Sequence, residues 1–178
     1  AIPRLWATRK IGYLLNQIRL RGPDEETIDQ IVKLSIRYGI VTPYTSYLVT
    51  EDMALGAEAQ EQIVQLEVER AASATAAPAS GESAVQKAAD EGKLSAAEAP
   101  LAPPEASASQ VRIVGARTFV LIDGVWNDTG FDPQAMQTVK VGFLSEDYFA
   151  LASSRTELGA AFALGIRVIA LSDGVAYE

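Results

Sequence analysis

Between residues 71 and 110, 25 of the 40 positions are Ala, Ser or Pro, and no aromatic residue occurs between Tyr47 and Phe119. A packed core needs large apolar side chains, so this composition predicts a flexible linker that splits the chain into two units. Ser83 to Ala99 has Ala-rich helix propensity, but Gly92 interrupts it and its apolar face is too narrow to dock firmly. The expected organisation is residues 1–70, a linker over 71–110, and a small C-terminal α+β domain over 111–178.

Taken whole, the chain has 178 residues, 48% of them hydrophobic, enough for one ordinary domain or two small ones. Its 23 acidic and 15 basic residues leave a net charge of −8. That field repels nucleic acid and anionic membranes unless the basic groups are strongly segregated. The absence of Cys and His removes disulfides, thiol nucleophiles, Cys-based zinc sites and the commonest general base. No apolar run approaches the ~20 residues of a membrane-spanning helix, and no signal segment precedes the first helical pattern. Trimming, or cleavage from a precursor, would each give a start at Ala1.

The N-terminal unit opens with Ile11, Leu14, Leu15 and Ile18 at helical spacing, extended back to Leu5 and Trp6, so Pro3 to Arg21 reads as an amphipathic helix. Gly22-Pro23 breaks it. Asp24, Glu25 and Glu26 then suit a helix N-terminus, Ile28, Ile31, Val32 and Ser35 its inner face, and Gly39 its left-handed stop. The run from Ile40 to Thr50 is β-branched and aromatic, and it predicts a strand with Pro43 near its start. A third helix with a narrow apolar stripe follows over 57–70, carrying Ile63, Val64 and Leu66.

In the C-terminal unit, strands are expected at 111–114 and on either side of Asp123-Gly124, a strong hairpin signal. A further strand spans Thr138 to Leu144. Ser145 caps the helical stretch that follows, which is broken near Ser153-Ser154, and Asp173-Gly174 centres a second hairpin. Arg-x-x-x-Leu-x-Asp-Gly-Val occurs from Arg117 and again from Arg167, a pattern on which Asp-Gly hairpins also converge by chance.

Chemical motifs are sparse. Asp123, Asp128 and Asp132 are the most tempting acidic cluster, but Val125 interrupts the alternation of a calcium loop and Gly130 is misplaced for its turn, so ordinary turn and capping roles are expected. Asn127-Asp128-Thr129 matches a glycosylation sequon, a short pattern with little specificity. The glycines form no phosphate-binding signature. Trp6, Tyr13, Tyr38, Tyr44 and Tyr47 crowd an N-terminal unit too small to bury them, which predicts that this face docks on a partner.

Those residues also carry a resemblance. Leu5-Trp6-Ala7-Thr8-Arg9-Lys10-Ile11, followed by the hairpin and by Leu34 to Val49 with its Val41-Thr42-Pro43-Tyr44-Thr45-Ser46 run, resembles the segment after the von Willebrand A domain in vault/inter-alpha-trypsin (VIT) proteins. The inter-alpha-trypsin inhibitor heavy chains belong to this group. Residues 111–178 look like the C-terminal extension of its bacterial members. The resemblance implies an extracellular or cell-surface protein, with upstream domains supplying a divalent-cation site and a β-domain that the 40–50 strand rejoins. The Asp-x-Ser-x-Ser cation motif of that domain is absent here. The Asp-Pro-His element of glycosaminoglycan attachment is matched only by Asp132-Pro133, with Gln134 after it.

These observations lead to a non-catalytic fragment with no cofactor of its own, serving adhesion, assembly or scaffold roles through contacts with upstream domains of its precursor or with another chain. A first alternative is an enzyme or small-ligand domain using Tyr148, Arg155, Glu157 or Arg167. The second is a self-association module that pairs hairpin edges into a homo-oligomer.

Overall fold

The computed structural model describes residues 2–45, 55–74, 82–98 and 110–178, apart from the side chains at 74, 82–85 and 87. Helices α1 (Ile2–Arg21) and α2 (Glu25–Tyr38) form the expected hairpin. Asp24 caps α2 by accepting from the Thr27 N–H at 2.9 Å, the standard remedy for orphan donors in a first turn. Gly39 stops α2 at φ 60° and ψ 40°, a left-handed conformation that costs a residue without Cβ little. Arg4 ties the start of α1 to this stop: its Nε donates to the Tyr38 carbonyl at 2.9 Å and its Nη2 to the Gly39 carbonyl at 3.2 Å.

The strand expected over 40–50 is corrected over its first half. Residues 40–45 form a turn in which the Thr45 N–H donates to the Thr42 carbonyl and the Thr42 N–H donates to Thr45 Oγ1, both at 3.0 Å. The two threonine hydroxyls share a further bond at 2.8 Å. Threonines that bond locally offer the backbone an alternative to a sheet ladder, and Pro43 is preset for the second position of such a turn. Residues 46–50, Tyr47 among them, lie outside the described residues.

Helix α3 (Ala57–Ala74) follows as expected, with Val64 buried. Helix α4 (Glu82–Ser95) corrects the expectation that 71–110 makes no firm contact. It packs along α1 by backbone approach instead of a wide apolar face. A Cβ on Gly12 would lie 2.3 Å from the Ser95 nitrogen, so only glycine lets the two helices come this close. Arg9 Nε fastens the end of α4 by donating to the Ala97 carbonyl at 2.7 Å, and Leu94 packs against Ile11, Leu14 and Leu15.

The C-terminal segment contributes strands β1 (Val111–Val114), β2 (Arg117–Ile122), β3 (Val125–Asp128) and β4 (Thr138–Val139), helices α5 (Glu146–Ser154) and α6 (Thr156–Phe162), and strands β5 (Val168–Ser172) and β6 (Val175–Tyr177). They form a mixed sheet in the order β1-β2-β3-β5-β6-β4. Both Asp-Gly hairpins form with positive φ at each central residue: Asp123 50° and Gly124 74°, Asp173 50° and Gly174 79°. That is the twist-compatible primed turn. The two hairpins lie side by side, joined by parallel pairing of Trp126 with Val168 and Asn127 with Ile169. The strand expected over 138–144 is shorter than its composition suggests. After Val139 the chain turns at Gly142, whose carbonyl accepts from the Ser145 N–H at 2.9 Å, and Ser145 then caps α5.

Phe119 and Val120 explain how the two halves meet. Successive strand residues point to opposite faces, and on β2 both faces are buried. Phe119 packs with Leu158, Phe162, Val168 and Tyr177 beneath α6. Val120 and Val111 pack with Ile28, Val32 and Ile36 of α2 and with Val64 of α3. The sheet is therefore the middle layer of an α+β arrangement, and residues 1–70 and 111–178 share a core. The inner face of the helical hairpin, expected to await an upstream domain, is covered within the chain.

Candidate functional site

Helix α1 has a second apolar face. Ile2, Trp6, Tyr13 and Leu20 are 82%, 55%, 54% and 73% exposed. At 3.6 residues per turn their directions fall within about 40° of one another, a single stripe along one side of the helix. A shallow groove of about 370 Å³ opens at its N-terminal end between Ile2, Leu5, Trp6, Arg9 and Lys10. Lys10 Nζ stands over the Tyr13 ring, 5.4 Å from its centroid. Helix α1 carries five basic residues and no acidic ones, but they are spread around its circumference, and Arg19 pairs with Glu91 of α4 at 3.6 Å.

The five aromatics expected to dock divide. Trp6 and Tyr13 lie on the stripe. Tyr38 is half-buried beneath the Arg37 guanidinium, 5.7 Å from its ring centroid. Tyr44 is half-buried between the α1/α2 and α2/α3 clusters; its phenol is pushed up by burial and by the Glu91 and Glu67 carboxylates. Both therefore offer less free apolar surface than Trp6 and Tyr13. Ile2 and Leu20 join them without being expected: Leu20 continues the seven-residue spacing of 6 and 13, and Ile2 lies one turn before Trp6.

The alternative C-terminal site residues do not converge. Tyr148 sits in an aromatic cluster, stacked on Phe162 at 5.0 Å and edge-on to Phe143 and Phe149. Arg155 Nη1 donates to the Tyr177 hydroxyl at 3.0 Å. Glu157 accepts from the Ser172 hydroxyl at 3.0 Å, and backbone and hydroxyl donors hold its carboxyl below the usual range. Arg167 reaches toward the other hairpin, at the Asp123 carbonyl.

The acidic cluster is likewise dispersed. Asp123 occupies its turn, Asp128 pairs with Arg117 Nη1 at 2.8 Å, and Asp132 caps α3. Among the described residues no three acidic side chains are placed to hold a metal ion, and no helix is long and apolar enough to cross a membrane.

A cleft of about 660 Å³ lies where α2 meets the sheet. Lys33, Arg37 and Tyr38 form its helical wall, Arg117, Thr118, Asp128, Thr129 and Gly130 its floor, and Pro3, Ile36 and Leu171 its apolar sides. Both Asp128 oxygens are engaged: Oδ2 by Arg117 and Oδ1 by the Gly130 N–H at 2.9 Å. Lys33 and Arg37 share one side of α2 because they are four residues apart. Their strand partners are remote in sequence, and nothing local announces the cleft.

No protein-family model matches the chain, and neither the curated proteins nor the solved structures contain a match to it.

Proposed function

We propose that this chain is a non-catalytic docking unit of a secreted or surface protein of the VIT and von Willebrand A type, serving adhesion, assembly or scaffolding. The observation that carries the reading is the exposed stripe of Ile2, Trp6, Tyr13 and Leu20 on α1. Trp and Tyr supply most of the energy at protein interfaces when a partner desolvates them, and a helix face with anchors one and two turns apart is a common form of such a surface. The resemblance of residues 4–52 to the segment following a von Willebrand A domain names the occupant: the upstream domains of the same precursor.

The test is tryptophan fluorescence and hydrogen exchange of the chain with and without a VIT and von Willebrand A fragment. Docking predicts a blue shift of the Trp6 emission, added protection along α1, and loss of both in a Trp6→Ala, Tyr13→Ala variant. Unchanged emission and exchange at saturating fragment concentration would overturn the reading.

A further inference from the structure

We propose that the cleft between α2 and the sheet binds a small organic phosphate, with its phosphate held by Arg37, Lys33, Thr118 and Thr129. The floor carries the first argument. Thr118 and Thr129 are only 2% and 5% exposed, and among the described residues neither hydroxyl has a hydrogen-bond partner. Each lines the cleft, and the two are neighbours across the sheet, the Thr129 N–H donating to the Thr118 carbonyl at 3.0 Å. Neither oxygen is sealed from solvent; both open on the cleft, where each can donate to an acceptor that enters it.

The helical wall supplies charge. Arg37 is exposed with its guanidinium over the Tyr38 ring, and among the described residues no carboxylate pairs with it. Lys33 is held by Asp29 in a solvent-exposed pair at 2.9 Å, the kind that exchanges readily for a stronger acceptor. Asp128, the one acid in the lining, is neutralised by Arg117. With these pairs counted, Arg37 is the one uncompensated charge among the described residues of the lining.

Donors approach from two directions, cations from the helix and hydroxyls from the sheet. That arrangement suits a tetrahedral oxyanion better than a planar carboxylate, whose acceptors lie in one plane. The cavity exceeds what a phosphate alone fills, and Pro3, Ile36, Tyr38 and Leu171 offer an apolar wall for the body of a monoester. This proposal does not depend on the docking reading of α1.

Amide chemical-shift titrations of the full chain at pH 7 test it, with phenyl phosphate as the probe and inorganic phosphate and benzoate for comparison. The expected result is saturable shifts at Arg37, Thr118 and Thr129, with phenyl phosphate binding about tenfold tighter than either comparison anion. Arg37→Gln should weaken phenyl phosphate about tenfold, the loss of one charge-assisted contact. Thr118→Val, which keeps the shape, should weaken it about threefold, and melting curves confirm that both variants fold. Shifts that do not saturate or lie elsewhere, benzoate binding as tightly as phenyl phosphate, or folded variants that bind as well as the parent would each overturn the assignment.

Discussion

The Asp132 carboxylate caps a helix whose first residue, Ala57, lies 75 positions upstream: the Ala57 N–H donates to Oδ2 at 3.1 Å. Its other oxygen closes a local turn, accepting from the Gln134 N–H at 2.9 Å and the Ala135 N–H at 3.3 Å. Next to it, Gln134 Nε2 donates to Glu58 in the first turn of α3 at 2.8 Å. One carboxylate thus joins the α3 entry to the β3–β4 loop, and these backbone donors hold it below the usual range.

A group whose folded pKa is depressed adds stability above its unfolded pKa and loses it as the pH falls through the folded value. Asp132→Ala is therefore expected to lower the melting temperature at pH 7 by about 3 °C. The gap between variant and parent should narrow as the pH drops below the ordinary aspartate value of 3.8. Thermal melts across this range check it. A gap unchanged at the acid end would show that the ionised cap is not the cause.

Gly12→Ala raises the intrinsic helix propensity of α1, yet its new methyl would stand 2.3 Å from the Ser95 nitrogen. Backbone has little room to give, so a loss of about 2 kcal/mol is expected. Denaturant unfolding measures the loss, and hydrogen exchange should report faster opening in α4 than in α2. Equal stability of variant and parent would mean that α4 does not lie on α1 in solution.

Glu67 presents the opposite titration. It is 6% exposed and ion-paired with Arg70 at 2.7 Å, and burial raises its pKa more than Arg70 lowers it. A raised folded pKa gives stability that is complete below the unfolded value and is lost as the pH rises through the folded one. Glu67→Gln should therefore be the more stable form at pH 7, by about 1 kcal/mol. The advantage should vanish below the ordinary glutamate value of 4.5. A destabilised glutamine variant at neutral pH would show the Arg70 pair to be the stronger effect.

Local chemistry carried much of the secondary structure. Asp24 and Gly39 bound α2 where their capping preferences place them, both Asp-Gly pairs make hairpins, and Arg155 divides α5 from α6 beside the serines that marked the break. Each signal acts within a few residues, so composition and spacing contain it. The Ile40–Thr45 run shows the limit, because its β-branched residues favour a strand as readily as the threonine-bonded turn they form.

The layer order, the covering of the hairpin and the cleft belong to the tertiary structure alone. Gly12 does not announce Ser95, nor Asp132 Ala57, and the small residues of α4 look like linker until a second backbone approaches them. Phe119-Val120-Leu121-Ile122 is an unbroken apolar run, the pattern of a strand covered on both faces, but which helices cover each face is decided only by the packing. Trp6 and Tyr13 reverse the case: their apolar character is plain in the chain, but whether it faces core or solvent depends on which side of α1 the other helices occupy. Periodicity defines faces within an element, whereas burial is settled by contacts between residues far apart in sequence.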